Sequence, residues 1–243
     1  MNNKFYKSVL IIGIGLIGSS IARVIRQKKI AEKICAIDTN EVAIKICKEL
    51  NIVDDIYNDF EKVNNQFDLI FICTPLSSYK TIFKELNVFV KETTLITDVG
   101  STKVSAINDF KSSINNEKIL FLPAHPIAGL EKSGPQHGIA ELFKNRYCIV
   151  TPINPDDKFI DSISDVWKSF GMTVETMDPL RHDRVLAMTS HIPQLIAYSV
   201  VGTATELETQ MKDEVIKYSA AGFRDFTRLA EVIRLCGEIF TKK

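Results

Sequence analysis

Short apolar runs alternate with segments of helical spacing through the first three quarters of the chain. The runs are Ser8 to Ile12, Ile34 to Ile37, Leu69 to Cys73, Leu95 to Thr97, Ile119 to Leu122, Cys148 to Val150 and Val174 to Met177. Each is too short for a helix and reads as a buried strand. Between the first four runs, segments such as Ile17 to Arg26 and Val42 to Leu50 repeat their apolar residues at three and four, as a helix burying one face requires. Strand and helix in alternation predict an α/β fold with a doubly wound, mostly parallel sheet. After Asp178-Pro179 only helical spacing remains, in Val185 to Met188, Leu195 to Val201 and Phe226 to Ile239. The expected division is therefore a sheet domain over residues 1–180 and a smaller all-helical domain over 181–243. The second is small for an independent core and should lean on the first domain or on another chain.

Composition narrows the class. The chain has 243 residues, 45% of them hydrophobic, and its 30 Lys+Arg balance 30 Asp+Glu. Disordered and fibrous classes are excluded. Zero net charge removes the electrostatic drive of a nucleic-acid or anionic-membrane binder, so the expected partner is a small molecule. Lys4 and Lys7 before Val9-Leu10-Ile11-Ile12 resemble a secretory leader, but glycines interrupt the run and no small-x-small cleavage site follows. No unbroken apolar stretch reaches 18 residues, and no membrane association is expected. Five cysteines without a C-x-x-C pair read as reduced thiols of a cytoplasmic protein, and no His/Cys spacing suggests a metal.

The first strand runs into Gly13-Ile14-Gly15-Leu16-Ile17-Gly18, the G-x-G-x-x-G spacing between a predicted strand and a predicted helix. Gly13 permits a tight turn, Gly15 lets the backbone approach a pyrophosphate, and Gly18 lets the helix pack on the strand. Asp38 follows the second strand, 20 residues beyond Gly18, where a carboxylate accepts from the ribose hydroxyls and repels a 2′-phosphate. NAD is expected over NADP, on a Rossmann-type sheet. The basic cluster Arg23, Arg26, Lys28 and Lys29 reads as a solvated helix face and loop.

Ligands of such sheets lie outside the carboxyl ends of the strands. The segments there are Thr74-Pro75-Leu76, then Asp98-Val99-Gly100-Ser101-Thr102-Lys103, then His125-Pro126-Ile127-Ala128-Gly129-Leu130-Glu131. Together with the glycine turn, Ser190-His191-Ile192-Pro193 and Gly222-Phe223-Arg224-Asp225-Phe226-Thr227-Arg228, they resemble the prephenate/arogenate (cyclohexadienyl) dehydrogenase family of tyrosine biosynthesis. The motifs fall in order across residues 8 to 230.

That resemblance implies an NAD-dependent oxidative decarboxylation of prephenate to 4-hydroxyphenylpyruvate. It implies His125 as the hydrogen-bond acceptor for the ring hydroxyl, suited to the task by an imidazole pKa of about 6.5. Ser101 matches a serine that orients the histidine or the hydroxyl, and Arg228 one that holds a substrate carboxylate through its fork of donors. His191, Glu131 and Asp225 match polar positions around the substrate mouth. Gly13, Gly15, Leu16, Ile17, Gly18, Asp38, Thr74 and Pro75 are the cofactor contacts. His182-Asp183 also resembles a family pair and reads first as a helix start or ion-paired turn. Lys103 has no role that the sequence supplies.

Two departures matter. Many family members carry a second histidine where this chain has Gln194, an amide that cannot become cationic, so the choice between keto-acid and amino-acid substrates stays open. Only 15 residues follow Arg228, fewer than the family pattern, which leaves open how the expected homodimer forms. The alternatives are an arogenate or dual-specificity enzyme, and a non-catalytic binder of NAD or an aromatic metabolite. Another hydroxyacid dehydrogenase is disfavoured because no catalytic-lysine helix motif is found.

Overall fold

A computed structural model describes residues 6–63, 66–130 and 132–205, with 223, 226 and 227. By compactness the chain divides into one unit of residues 1–129 and 133–183 and a second of 130–132 and 184–243.

The first unit is built on six parallel strands: β1 (Tyr6–Ile12), β2 (Ala31–Ile37), β3 (Asp55–Tyr57), β4 (Leu69–Ile72), β5 (Thr94–Asp98) and β6 (Ile119–Phe121), in the spatial order β3-β2-β1-β4-β5-β6. Successive side chains of a strand point to opposite faces, and here both faces are covered. Val9 and Ile11 of β1 join a core with Ile21 and Ile25 of α1 (Leu16–Lys28) and Trp167 of α5 (Ile160–Ser169). Leu10 and Ile12 join the opposite core with Tyr79, Phe83 and Leu86 of α3 (Tyr79–Phe89) and Ala106 of α4 (Lys103–Ser113). The remaining crossover helix, α2 (Glu41–Glu49), is N-capped by Asn40, whose side chain accepts from the N–H groups of Val42 and Ala43.

Two features correct the single sheet expected from the sequence. β7 (Ala124–Pro126), β8 (Tyr147–Val150) and β9 (Thr173–Thr176) form a separate three-stranded sheet, with β7 antiparallel and β9 parallel to β8. His125 therefore sits on a strand opposite Ile149, not in a loop. Pro123, which has no N–H to continue the ladder, separates β6 from β7 and lets the chain change sheets there.

Between β9 and residue 205 the described chain forms α6 (Pro179–Leu186), a π-turn over Ala187–His191, and α7 (Ile192–Thr205). The π-turn precedes Pro193, whose ring would clash in a regular helix. Widening the turn lets the Ile192 N–H reach back to Ala187 O. The continuous run Pro179–Ala204 is long and apolar enough, by length and composition alone, to cross a bilayer. It holds no unbroken apolar stretch of that length, because Arg181, His182, Asp183 and Arg184 interrupt its start and Thr189, Ser190, His191 and Gln194 its middle.

Candidate active site

The glycine turn is shaped by its own surroundings at two of its three glycines. Gly13 has φ +91°, and a Cβ there would stand 2.9 Å from the Cys73 carbonyl. At Gly18 a Cβ would fall 2.0 Å from Gly13 O, so α1 can start this close to β1 only with glycine. Gly15 differs, since a Cβ there would meet nothing within 4 Å. The protein itself does not need glycine at that position, which is what an incoming ligand would require. α1 also has no acidic side chain in its first turn, so the N–H groups at its start present partial positive charge to an anion.

Asp38 does more than the sequence suggests. One oxygen of its carboxylate accepts from Ile14 N at 2.7 Å and the other from Asn40 N at 2.8 Å, which fastens the glycine turn to the end of β2. A carboxylate has lone pairs left over for a ribose hydroxyl. Asp38, Gly13, Gly15, Thr74, Pro75 and Ser78 line one cleft of about 490 Å³. Thr74 is held there by the Ser78 hydroxyl, which donates to its Oγ1 at 2.9 Å. Leu16 and Ile17, the first two residues of α1, are half-buried and pack against the core directly after the glycine turn. These residues fit a dinucleotide: an open approach at the helix start, a carboxylate at the ribose position and an apolar-floored cleft between them. Replacing Gly15 by valine is expected to raise the KM for NAD at least tenfold while the melting temperature stays within a few degrees. A comparable fall in melting temperature would mean the glycine serves the fold instead.

A second group of candidate residues is anchored at the carboxyl end of β5, two strands from β1, about 10 Å. Asp98 ends β5 and is fully buried, yet it accepts four hydrogen bonds. One carboxylate oxygen takes Tyr79 Oη at 2.9 Å, Gly100 N at 3.0 Å and Lys103 Nζ at 2.6 Å, and the other takes Ala124 N at 3.1 Å. The Lys103 ammonium, also fully buried, donates in addition to Ala124 O at 2.7 Å. Both backbone groups of the residue before His125 are thus gripped by one ion pair. Burial pushes the Lys103 ammonium below its ordinary pKa against the pull of Asp98, and it pushes the Tyr79 phenol well above its own.

His125 is half-buried, and its Nδ1 lies 2.9 Å from Nε2 of His182 in α6. His182 is fully buried, and its Nδ1 lies 2.8 Å from an Asp183 carboxylate oxygen. Asp183 in turn accepts from the N–H groups of Lys103 at 2.8 Å and Val104 at 3.0 Å, the first turn of α4. α4 has no acidic residue in its own first turn, and Asp183 supplies that charge from 80 positions away in the sequence. Burial opposes ionisation of Asp183, but the Lys103 N–H, the His182 ring and the Val104 N–H outweigh it and hold the carboxyl below its usual pKa. Burial likewise lowers His182, against the opposite pull of Asp183.

The structure thus ties Lys103 and Asp98 to Ala124, the neighbour of His125, and Ser101 lies exposed two residues ahead of Lys103. The sequence supplies no role for Lys103. It suggests a helix start or an ion-paired turn at His182-Asp183, which do lie in α6 with the ring on the carboxylate; the contact to His125 is not visible in it. Within the second unit, His191 ends the π-turn and Gln194 lies in the first turn of α7, both half-buried. Glu131, Asp225 and Arg228 lie outside the described residues.

Comparison with known proteins shows the family. The family description of the prephenate dehydrogenase nucleotide-binding domain matches residues 21–176, and that of the prephenate dehydrogenase dimerization domain matches residues 178–238. A cyclohexadienyl dehydrogenase of Zymomonas mobilis is 34% identical over 226 residues, covering 93% of this chain and 76% of that protein. A prephenate dehydrogenase of Bacillus subtilis is 31% identical over 230 residues, covering 94% of this chain but only 62% of that protein. The crystal structure of prephenate dehydrogenase from A. aeolicus, in complex with hydroxyphenyl propionate and NAD+, superposes with a TM-score of 0.84 at 31% identity, over 96% of this chain and 83% of that one. With both family domains matched in order, this chain belongs to the prephenate dehydrogenase family.

Proposed function

We propose that the protein is an NAD-dependent prephenate dehydrogenase that converts prephenate to 4-hydroxyphenylpyruvate and carbon dioxide. The observation that carries this reading is the pairing, in one compact unit, of an open glycine turn at the carboxyl end of β1 and a histidine on β7 that is anchored to the carboxyl end of β5 through its backbone and to His182 through its ring. NAD is the cofactor, and when bound it supplies the hydride acceptor.

The residues then divide the remaining work. His125 accepts the proton of the ring hydroxyl as the hydride leaves the same carbon. Loss of the para carboxylate as carbon dioxide sends its electron pair into the ring, and His125 returns the proton to the resulting phenolate. No net proton is released, and aromatisation drives the sequence forward. Ser101 orients the hydroxyl or the imidazole, and Arg228 holds a substrate carboxylate, with His191, Glu131 and Asp225 around the mouth. Residues 1–180 serve as the dinucleotide-binding domain, and 181–243 as the helical substrate and dimerisation domain of a cytoplasmic homodimer.

Gln194 supports a second reading, in which arogenate is also used, and the Zymomonas relative carries a cyclohexadienyl name. Steady-state turnover with prephenate and with arogenate, each with NAD and with NADP, tests both. Turnover confined to NAD, with prephenate the better substrate, is expected. Equal use of arogenate would favour dual specificity, and silence in all four reactions would reject the dehydrogenase.

A further inference from the structure

The contacts around His182 restrict where protons can sit. A carboxylate only accepts, so the 2.8 Å contact to Asp183 places the hydrogen of the neutral His182 ring on Nδ1. His182 Nε2 then carries a lone pair. The 2.9 Å contact to His125 Nδ1 is a hydrogen bond only if the hydrogen belongs to His125.

We propose that His182 and Asp183 are positioning residues that lock His125 in its Nδ1–H tautomer, making Nε2 the atom that accepts the substrate proton. This deepens the assignment of His125 as the base, and rests on it. When Nε2 takes a proton, the charge on His125 is met by a donor–acceptor chain already aimed at it, ending in a carboxylate. That carboxylate is in turn held at the start of α4 by the N–H groups of Lys103 and Val104. α4 thereby positions His125 twice, through Asp183 to the ring and through the Lys103 ammonium to the Ala124 carbonyl. The rings cross at 68° with centroids 5.1 Å apart, so His182 meets its neighbour edge-on rather than stacked, as a lone-pair acceptor should. The ionisable groups around the pair are Asp183 on α6 itself, Lys103 from α4, Asp98 from β5 and the Cys148 thiol from β8, which burial keeps protonated.

The four histidines, His125, His137, His182 and His191, make the tautomer directly measurable by nitrogen NMR of the full chain, with signals assigned by replacing each in turn. The wild type at neutral pH is expected to show His125 Nδ1 protonated and Nε2 bare. A spectrum with the proton on Nε2 would overturn the proposal, whether or not the protein turns over prephenate. Absence of turnover with the expected spectrum would instead reject the assigned reaction. His182→Phe should lower kcat by about 100-fold with KM for both substrates within twofold, and redistribute the His125 tautomers. Asp183→Asn, which keeps the shape and removes the charge, should move the acid limb of kcat/KM to lower pH, because an imidazole without its carboxylate protonates less readily. A merely structural pair would depress kcat in the variants without moving that limb or the tautomer, and would also overturn the proposal.

Discussion

Replacing His125 by asparagine is expected to lower kcat for NAD and prephenate by about 100-fold or more, the range that a positioned general base supplies. The fold should survive. His125 is half-buried on a three-residue strand, its backbone anchors run through Ala124, and the lost side-chain bond to His182 is worth about 1 kcal/mol. A melting temperature within a few degrees of wild type, together with an unchanged KM for NAD, is the expected accompaniment. Unchanged turnover would remove the imidazole from the chemistry, since no other described residue on that strand can take a proton.

The second large effect is on stability. Lys103→Met leaves the Asp98 carboxylate fully buried with its cation gone, a situation that costs about 3–5 kcal/mol. For a unit of this size that corresponds to a fall of roughly 10 °C in melting temperature, at about 2–4 °C per kcal/mol. The methionine has similar bulk, so the loss is electrostatic rather than a cavity. Adding Asp98→Asn should recover part of it, because the neutral amide oxygen still accepts a hydrogen bond while the stranded charge disappears. Activity should fall in both, because the Ala124 carbonyl loses its ammonium and β7 its grip. A lysine variant costing under 1 kcal/mol, or a double variant no better than the single, would show that the pair does not hold the strand as described.

The parts legible in the sequence are those written in local patterns. β1, β2, β4, β5 and β6 each carry a short apolar run because helices cover both faces, and the glycine turn is a fixed spacing at a strand end. β3 escaped because Asp55-Ile56-Tyr57 is three half-buried residues at the sheet edge, too short and mixed for a period. β7 escaped because Ala124-His125-Pro126 is enclosed by prolines and pairs only at long range, which no local window sees. Lys103 looked uninformative because lysines are seldom fully buried, and its partner is defined by a turn rather than by a helical spacing. His182 was visible as a residue, but its role depends on a contact across 57 positions. The resemblance implies roles for His125 and Ser101, and the physical chemistry of the fold explains what holds the histidine.

If the proposed reaction is right, one site both oxidises and decarboxylates the same molecule of prephenate. The most direct test is to measure reduced nicotinamide and carbon dioxide in a single reaction of the full chain with NAD and prephenate. One of each per substrate consumed, with no net proton released, is the predicted result. Carbon dioxide without reduced nicotinamide, or neither product, would contradict it.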